Sequence, residues 1–170
     1  MPLRSGKVIT QSFDYDHGRQ VSVYVPAQPV RAIVYAGDGQ LIAPWGADLV
    51  GTGAEGVMVV GVHRCADEAQ RLHEYSPGFE PARFAAHEGF FTATVPEWIA
   101  ATCGVTLEAR RTAILGVSAG GELALALGLR HPEVYGAILC ASPGAGFRPP
   151  ADLPHPIPRC YFVAGDREPF

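Results

Sequence analysis

The 170-residue chain has no basic run: 13 Lys and Arg are scattered among 17 Asp and Glu, for a net charge of −4. A surface of that kind does not line up cations along a phosphate backbone, which argues against nucleic-acid binding. It also lacks any apolar stretch near the ~20 residues a bilayer span needs. Met1-Pro2-Leu3-Arg4-Ser5-Gly6-Lys7 has no apolar signal core, so the expectation is a cytoplasmic protein with no membrane partner. The four cysteines, Cys65, Cys103, Cys140 and Cys160, form no Cys-x-x-Cys pair, and the last two lie in apolar runs. Buried free thiols are therefore expected in preference to disulfides. The six histidines do not cluster at ligand spacing, so neither a metal nor another cofactor is expected. The most consequential absence is that no histidine follows Glu168.

What is present describes a globular chain. The hydrophobic content is 48% and the charged content 18%, enough apolar matter for one domain over residues 1–170. Residues 7–13 and 20–25 alternate and end in turn residues, as an antiparallel pair does. Residues 31–35, 57–62, 112–117, 135–140 and 160–163 are instead short continuous apolar runs, suited to parallel strands covered on both faces. Helical patterns fall between them at 84–102, where Pro96 opens a second piece, and at 122–130, ending before Pro132. Strands alternating with helices imply an α/β fold with a mostly parallel sheet and an antiparallel N-terminal pair. The Gly- and Pro-rich stretch 142–158 reads as one long loop, and 64–81 as another, both walls of a pocket.

One turn carries chemistry. Gly116-Val117-Ser118-Ala119-Gly120 follows the run Thr112-Ala113-Ile114-Leu115 and precedes the helix former Glu122-Leu123-Ala124-Leu125. That strand-to-helix context is what a nucleophile elbow requires. The nucleophile there takes strained backbone angles, and side chains two residues to either side would collide, so Gly116 and Gly120 are needed. Gly121 lets the helix approach the strand closely. The competing reading is a plain glycine-rich turn with Ser118 as helix N-cap.

Acyl transfer also needs oxyanion donors. One is the N–H of Ala119, directly after the nucleophile; the second comes from the loop after an earlier strand. That loop is Ala36-Gly37-Asp38-Gly39-Gln40, and the N–H of Gln40 is the candidate, although an ordinary Gly-rich turn would look much the same. An acid is expected after a late strand, where Gly165-Asp166-Arg167-Glu168 lies. A base should follow the acid. His131 at a helix end reads as a cap, and His155 would reverse the usual order.

These segments together resemble the esterase family that includes enterochelin esterases, feruloyl esterase modules and mycolyltransferases. The resemblance rests on Tyr35-Ala36-Gly37-Asp38-Gly39-Gln40, Arg71-Leu72-His73-Glu74-Tyr75-Ser76-Pro77, the elbow, and Leu129-Arg130-His131-Pro132-Glu133. It implies an α/β-hydrolase three-layer sandwich, with Ser118 as nucleophile, Glu168 at the acid position and Asp166 in reserve. Arg71 and Glu74 match a structural ion pair. The family continues through a further helix, a final strand, a histidine-bearing loop and a last helix, so the chain reads as C-terminally incomplete. Three expectations follow: a small-molecule ester substrate, activity impaired by the missing histidine, and an exposed strand at 159–163 through which the chain self-associates. The alternative is a catalytically silent hydrolase-like domain that serves binding or assembly.

Overall fold

The computed structural model describes residues 6–144, 147 and 149–167. Within them the chain forms two compact units, Met1–Arg64 and Cys65–Phe170.

In the first unit, β1 (Lys7–Ser12) and β2 (Gln20–Val25) pair antiparallel, with Lys7 opposite Val25. Their tight turn is made by Asp16 and His17 at positive φ followed by Gly18, and the Arg19 guanidinium grips the Asp16 carboxylate across it. β2 runs antiparallel to β4 (Val57–Val62), which pairs in parallel with β3 (Ala32–Ala36). The strand order is β1-β2-β4-β3. Val21, Val23, Tyr35, Met58 and Val60 are buried. β3 and β4 are nearly continuous apolar runs because both of their faces are covered.

The second unit opens with two helices, α2 (Glu68–Tyr75) and α3 (Pro81–Gly89). α2 occupies ground expected to be loop. Its signal was the cap: Asp67 accepts hydrogen bonds from the N–H groups of Ala69 and Gln70 at 2.8 and 3.0 Å. α3 runs through a π turn, Phe90–Thr94, into α4 (Val95–Cys103). The expected break at Pro96 is thus a widened turn, since proline cannot donate and its ring crowds the carbonyl four residues back.

Three parallel strands follow in the order β5-β6-β7: β5 (Thr112–Val117), β6 (Ala137–Ala141) and β7 (Arg159–Val163). The helix α5 (Ala119–Arg130) joins β5 to β6, and every residue from Ala119 to Leu129 is buried. A helix apolar on all sides belongs in a core. It rides close to the sheet at Gly128, where a Cβ would lie 2.4 Å from Ile138. The architecture is therefore the expected α/β one, with parallel strands and an antiparallel N-terminal pair. No helix among the described residues is long and apolar enough to cross a membrane.

A polar node ties α3 to the end of α5. The Glu88 carboxylate accepts from Arg130 Nη2 at 3.1 Å and lies 2.9 Å from His131 Nε2, while His131 Nδ1 faces Glu133 at 3.0 Å. Burial works to raise the Glu88 pKa, but the bonds from Arg130 and His131 outweigh it and hold the carboxyl below its ordinary value. A carboxyl lowered in this way stabilises the fold above its unfolded pKa and stops doing so as pH falls through the folded one. We expect Glu88→Gln to cost about 2 kcal/mol of unfolding free energy at neutral pH. Urea titrations from pH 7 downward should show that difference shrinking below about pH 4.

Candidate functional site

Ser118 follows β5 and starts α5 with φ 58° and ψ −124°. A non-glycine residue is rarely found there, and such strain persists only where its surroundings over-determine it. Two features do so. A Cβ on Gly116 would lie 1.7 Å from the Gly120 carbonyl oxygen, so the chain closes on itself more tightly than any side chain allows. The Ser118 N–H also donates to the Ala141 carbonyl at 3.0 Å, which fastens the turn to the end of β6.

The simple N-cap reading fails on geometry, because the Ser118 side chain makes no capping bond. Its hydroxyl is on an exposed residue. The Ser118 carbonyl takes up the N–H groups of Gly121 and Glu122, at 2.8 and 3.3 Å. The N–H groups of Ala119 and Gly120 are assigned no acceptor among the described residues, as the first donors of a helix are not. The site thus carries a hydroxyl beside N–H groups at the positive end of a twelve-residue helix.

Gly121 plays its expected part in close packing, though against the neighbouring strand rather than its own: a Cβ there would meet Cys140 Sγ at 3.1 Å. Cys140 donates to the Gly121 carbonyl. Burial, with the nearby Cys160 thiol, pushes its pKa up to about 11, so it stays an inert thiol under the elbow. All four cysteines are free thiols, but only Cys140 is buried as expected: Cys65 and Cys103 are half-buried, and Cys160 is exposed among the described residues.

Two neighbours of the elbow carried no motif. Glu122, 8% exposed, lies one turn on from Ser118, and its carboxylate rests so near Gly144 that a Cβ there would be 2.2 Å away. Ser142 adopts φ 46° and donates its N–H to the Val163 carbonyl at 2.7 Å. Their only sequence signals were an acid in the first helical turn and a Ser-Pro-Gly turn.

Asp166 is exposed in the turn after β7. Because β5, β6 and β7 are parallel, it leaves the same edge of the sheet as Ser118, two strands or about 10 Å across. Glu168 lies outside the described residues.

In the first unit, Asp38 is buried at φ 53° and begins the short helix α1 (Gly39–Ile42). Gln40 is therefore in a helical turn rather than a loop. Gly39 is pressed on Gly61 of β4, where a Cβ would lie 2.1 Å from its backbone. The Gln40 side-chain oxygen accepts from the Arg64 N–H at 3.2 Å, and the Gln40 N–H has no assigned acceptor among the described residues.

Four of the six histidines have other occupations. His63 Nε2 lies 2.8 Å from the Ser22 hydroxyl, and burial, aided by Arg19, lowers its pKa. His73 faces Glu80 at 3.2 Å. His87 is fully buried between Tyr75 and Phe91. His131 belongs to the Glu88 node. No histidine is hydrogen-bonded to Ser118 among the described residues. Arg71 reaches Glu68 at 3.5 Å and lies over the Tyr75 ring, while buried Glu74 accepts from Arg83 at 3.3 Å. No group of three or more candidate metal ligands occurs among the described residues.

Comparison with known proteins bears on the family and the fold. Residues 15–150 match the family model described as "Putative esterase". Among solved structures, the chain is similar to the BES protein from Bacillus cereus (14% identity, TM-score 0.64, covering 84% of this chain and 63% of that one). It is similar also to the enterobactin esterase FES from Shigella flexneri (21%, 0.62, 90% and 41%) and an IroE-like serine hydrolase from Shewanella oneidensis (15%, 0.62, 81% and 51%). At these identities the likeness shows the fold. The chain spans 41 to 63% of the length of these three structures. No curated protein matches it.

Two glycine substitutions separate a required glycine from a permissive one. Gly116→Ala should lower the urea-measured unfolding free energy by about 3 kcal/mol, because backbone must move to admit the methyl. Gly89→Ala, where a Cβ meets nothing within 4 Å, should be neutral or raise it by about 0.5–1 kcal/mol.

Proposed function

Since the chain belongs to the esterase family whose model it matches over residues 15–150, we propose that it is a serine ester hydrolase acting through an acyl-enzyme on Ser118. The observation that carries this reading is the strained, exposed backbone of Ser118 at the head of a buried helix. The Ser118 oxygen attacks the ester carbonyl and the carbonyl π electrons move onto its oxygen. The N–H of Ala119 holds that oxyanion. The tetrahedral species collapses to an acyl-serine and expels the alcohol, which takes up the proton the hydroxyl has given to a base. Water then releases the acid by the same steps.

Glu168 is the acid that orients the base, with Asp166 in reserve, a role supported by the family resemblance and by the place of Asp166 after β7. The base in this scheme is a histidine. With none hydrogen-bonded to Ser118 among the described residues, turnover by these 170 residues should be slow. A triad that lacks a member retains about 10³–10⁴-fold catalysis over water. The same observation favours a second reading, a silent hydrolase-like domain used for binding.

A fluorophosphonate probe distinguishes the two. The esterase reading expects slow labelling that maps to Ser118 and is abolished in Ser118→Ala. Absence of labelling in the folded chain supports the silent domain.

A further inference from the structure

In the first unit a row of polar side chains crosses β1, β2 and the end of β4. Thr10 lies opposite Ser22, and Ser22 opposite Gly61, so the three share a face of the sheet. Gly61 brings no side chain to the row, and His63, two residues on, reaches into it. Thr10 Oγ1 is 2.8 Å from Ser22 Oγ, which is in turn 2.8 Å from His63 Nε2. Ser22 is buried between exposed Thr10 and half-buried His63.

His63 is held through its backbone as well. Its N–H donates to the Gln20 carbonyl at 2.9 Å, and its carbonyl accepts from Arg19 Nη1 at 3.2 Å. Arg19 is 4% exposed and also grips Asp16 in the hairpin turn. The Arg19 backbone closes that same turn. Its N–H donates to the Tyr15 carbonyl at 2.8 Å, and its carbonyl accepts from the Phe13 N–H at 2.9 Å. One guanidinium therefore joins the β1–β2 turn to the end of β4.

We propose that His63 is an acid-sensitive latch on the β1–β2 hairpin. Neutral, it leaves Arg19 docked on the His63 carbonyl and the turn closed. Protonated, it sets a second positive charge against Arg19, and the turn opens. The hydroxyl row survives this switch because each hydroxyl both donates and accepts. It runs from Thr10 through Ser22 to a bare Nε2, and reverses when Nε2 gains a proton. What changes is the charge beside Arg19.

The surrounding charges do not offset it. Asp16 is engaged by Arg19, and Asp38, at the head of α1, lies 3.9 Å from Arg64 Nη1. β1 and β2 bring the Thr10 and Ser22 hydroxyls, and no carboxylate is hydrogen-bonded to the His63 ring among the described residues. Burial and, after it, Arg19 lower the His63 pKa. A histidine lowered by folding stabilises the fold fully above its ordinary value of 6.5, and that contribution is lost as pH falls through the folded value.

Histidine-ring NMR and amide hydrogen exchange on the full chain, followed from about pH 7.5 to about pH 5, test this. His63, identified by the resonance that His63→Gln removes, should titrate at lower pH in the folded chain than in the urea-unfolded one. Protection of the Phe13 and Arg19 amides, corrected for intrinsic exchange, should fall about tenfold more than that of protected amides in β4. The midpoint of that fall should match the ring titration. His63→Gln can still bond to Ser22 but gains no charge, so it should keep the turn protected throughout. If that variant does not fold, the two midpoints in the unaltered chain carry the test. A ring that titrates at or above its unfolded value would overturn the proposal. So would turn protection that ignores pH, that falls with a different midpoint, or that falls equally in folded His63→Gln.

Discussion

The contact on which the second unit turns is the one between Gly116 and the Gly120 carbonyl, where a methyl group would stand 1.7 Å from oxygen. It lets the chain leave β5 and enter α5 with a single residue, Ser118, absorbing the reversal at φ 58°. The cost of that angle, of order 1–3 kcal/mol, is offset by the Ala141 carbonyl that takes the Ser118 N–H and by the burial of α5 from end to end. Were the turn relaxed, α5 would start elsewhere and Gly121 and Gly128 would lose their seats on β6.

The same constraint shapes the site for which the chemistry is proposed. The Ser118 hydroxyl is held outside the helix, beside N–H groups that have no acceptor among the described residues. The thiol beneath it is kept protonated by burial and does not compete. Asp166 emerges from the same sheet edge because β5, β6 and β7 are parallel, so chain direction alone carries the candidate acid to the side on which Ser118 stands.

Much of this was legible in the sequence. Strands announced themselves as apolar runs, and the glycines around Ser118 declared a turn no other residue could make. What escaped was governed by polar contacts. α2 has few apolar residues in its stretch and is held by the Asp67 cap, which a search for apolar periodicity passes over. Gln40 looked like loop because two glycines precede it, yet Gly39 is there to press on Gly61 of β4, a contact 22 residues away in sequence. Cys160 looked like core because its neighbours are apolar, and among the described residues it is exposed. The motif around His131 stood out in the sequence, and its purpose, joining Glu88 to the end of α5, needed the fold.

The central claim is that Ser118 is held as an acyl acceptor. Incubating the chain with an activated phenyl ester and locating the retained acyl group by peptide mass spectrometry tests it most directly. The account predicts acylation at Ser118, lost on relaxing the turn with Gly116→Ala. Acylation confined to another nucleophile, or none at Ser118 in the folded chain, would contradict it.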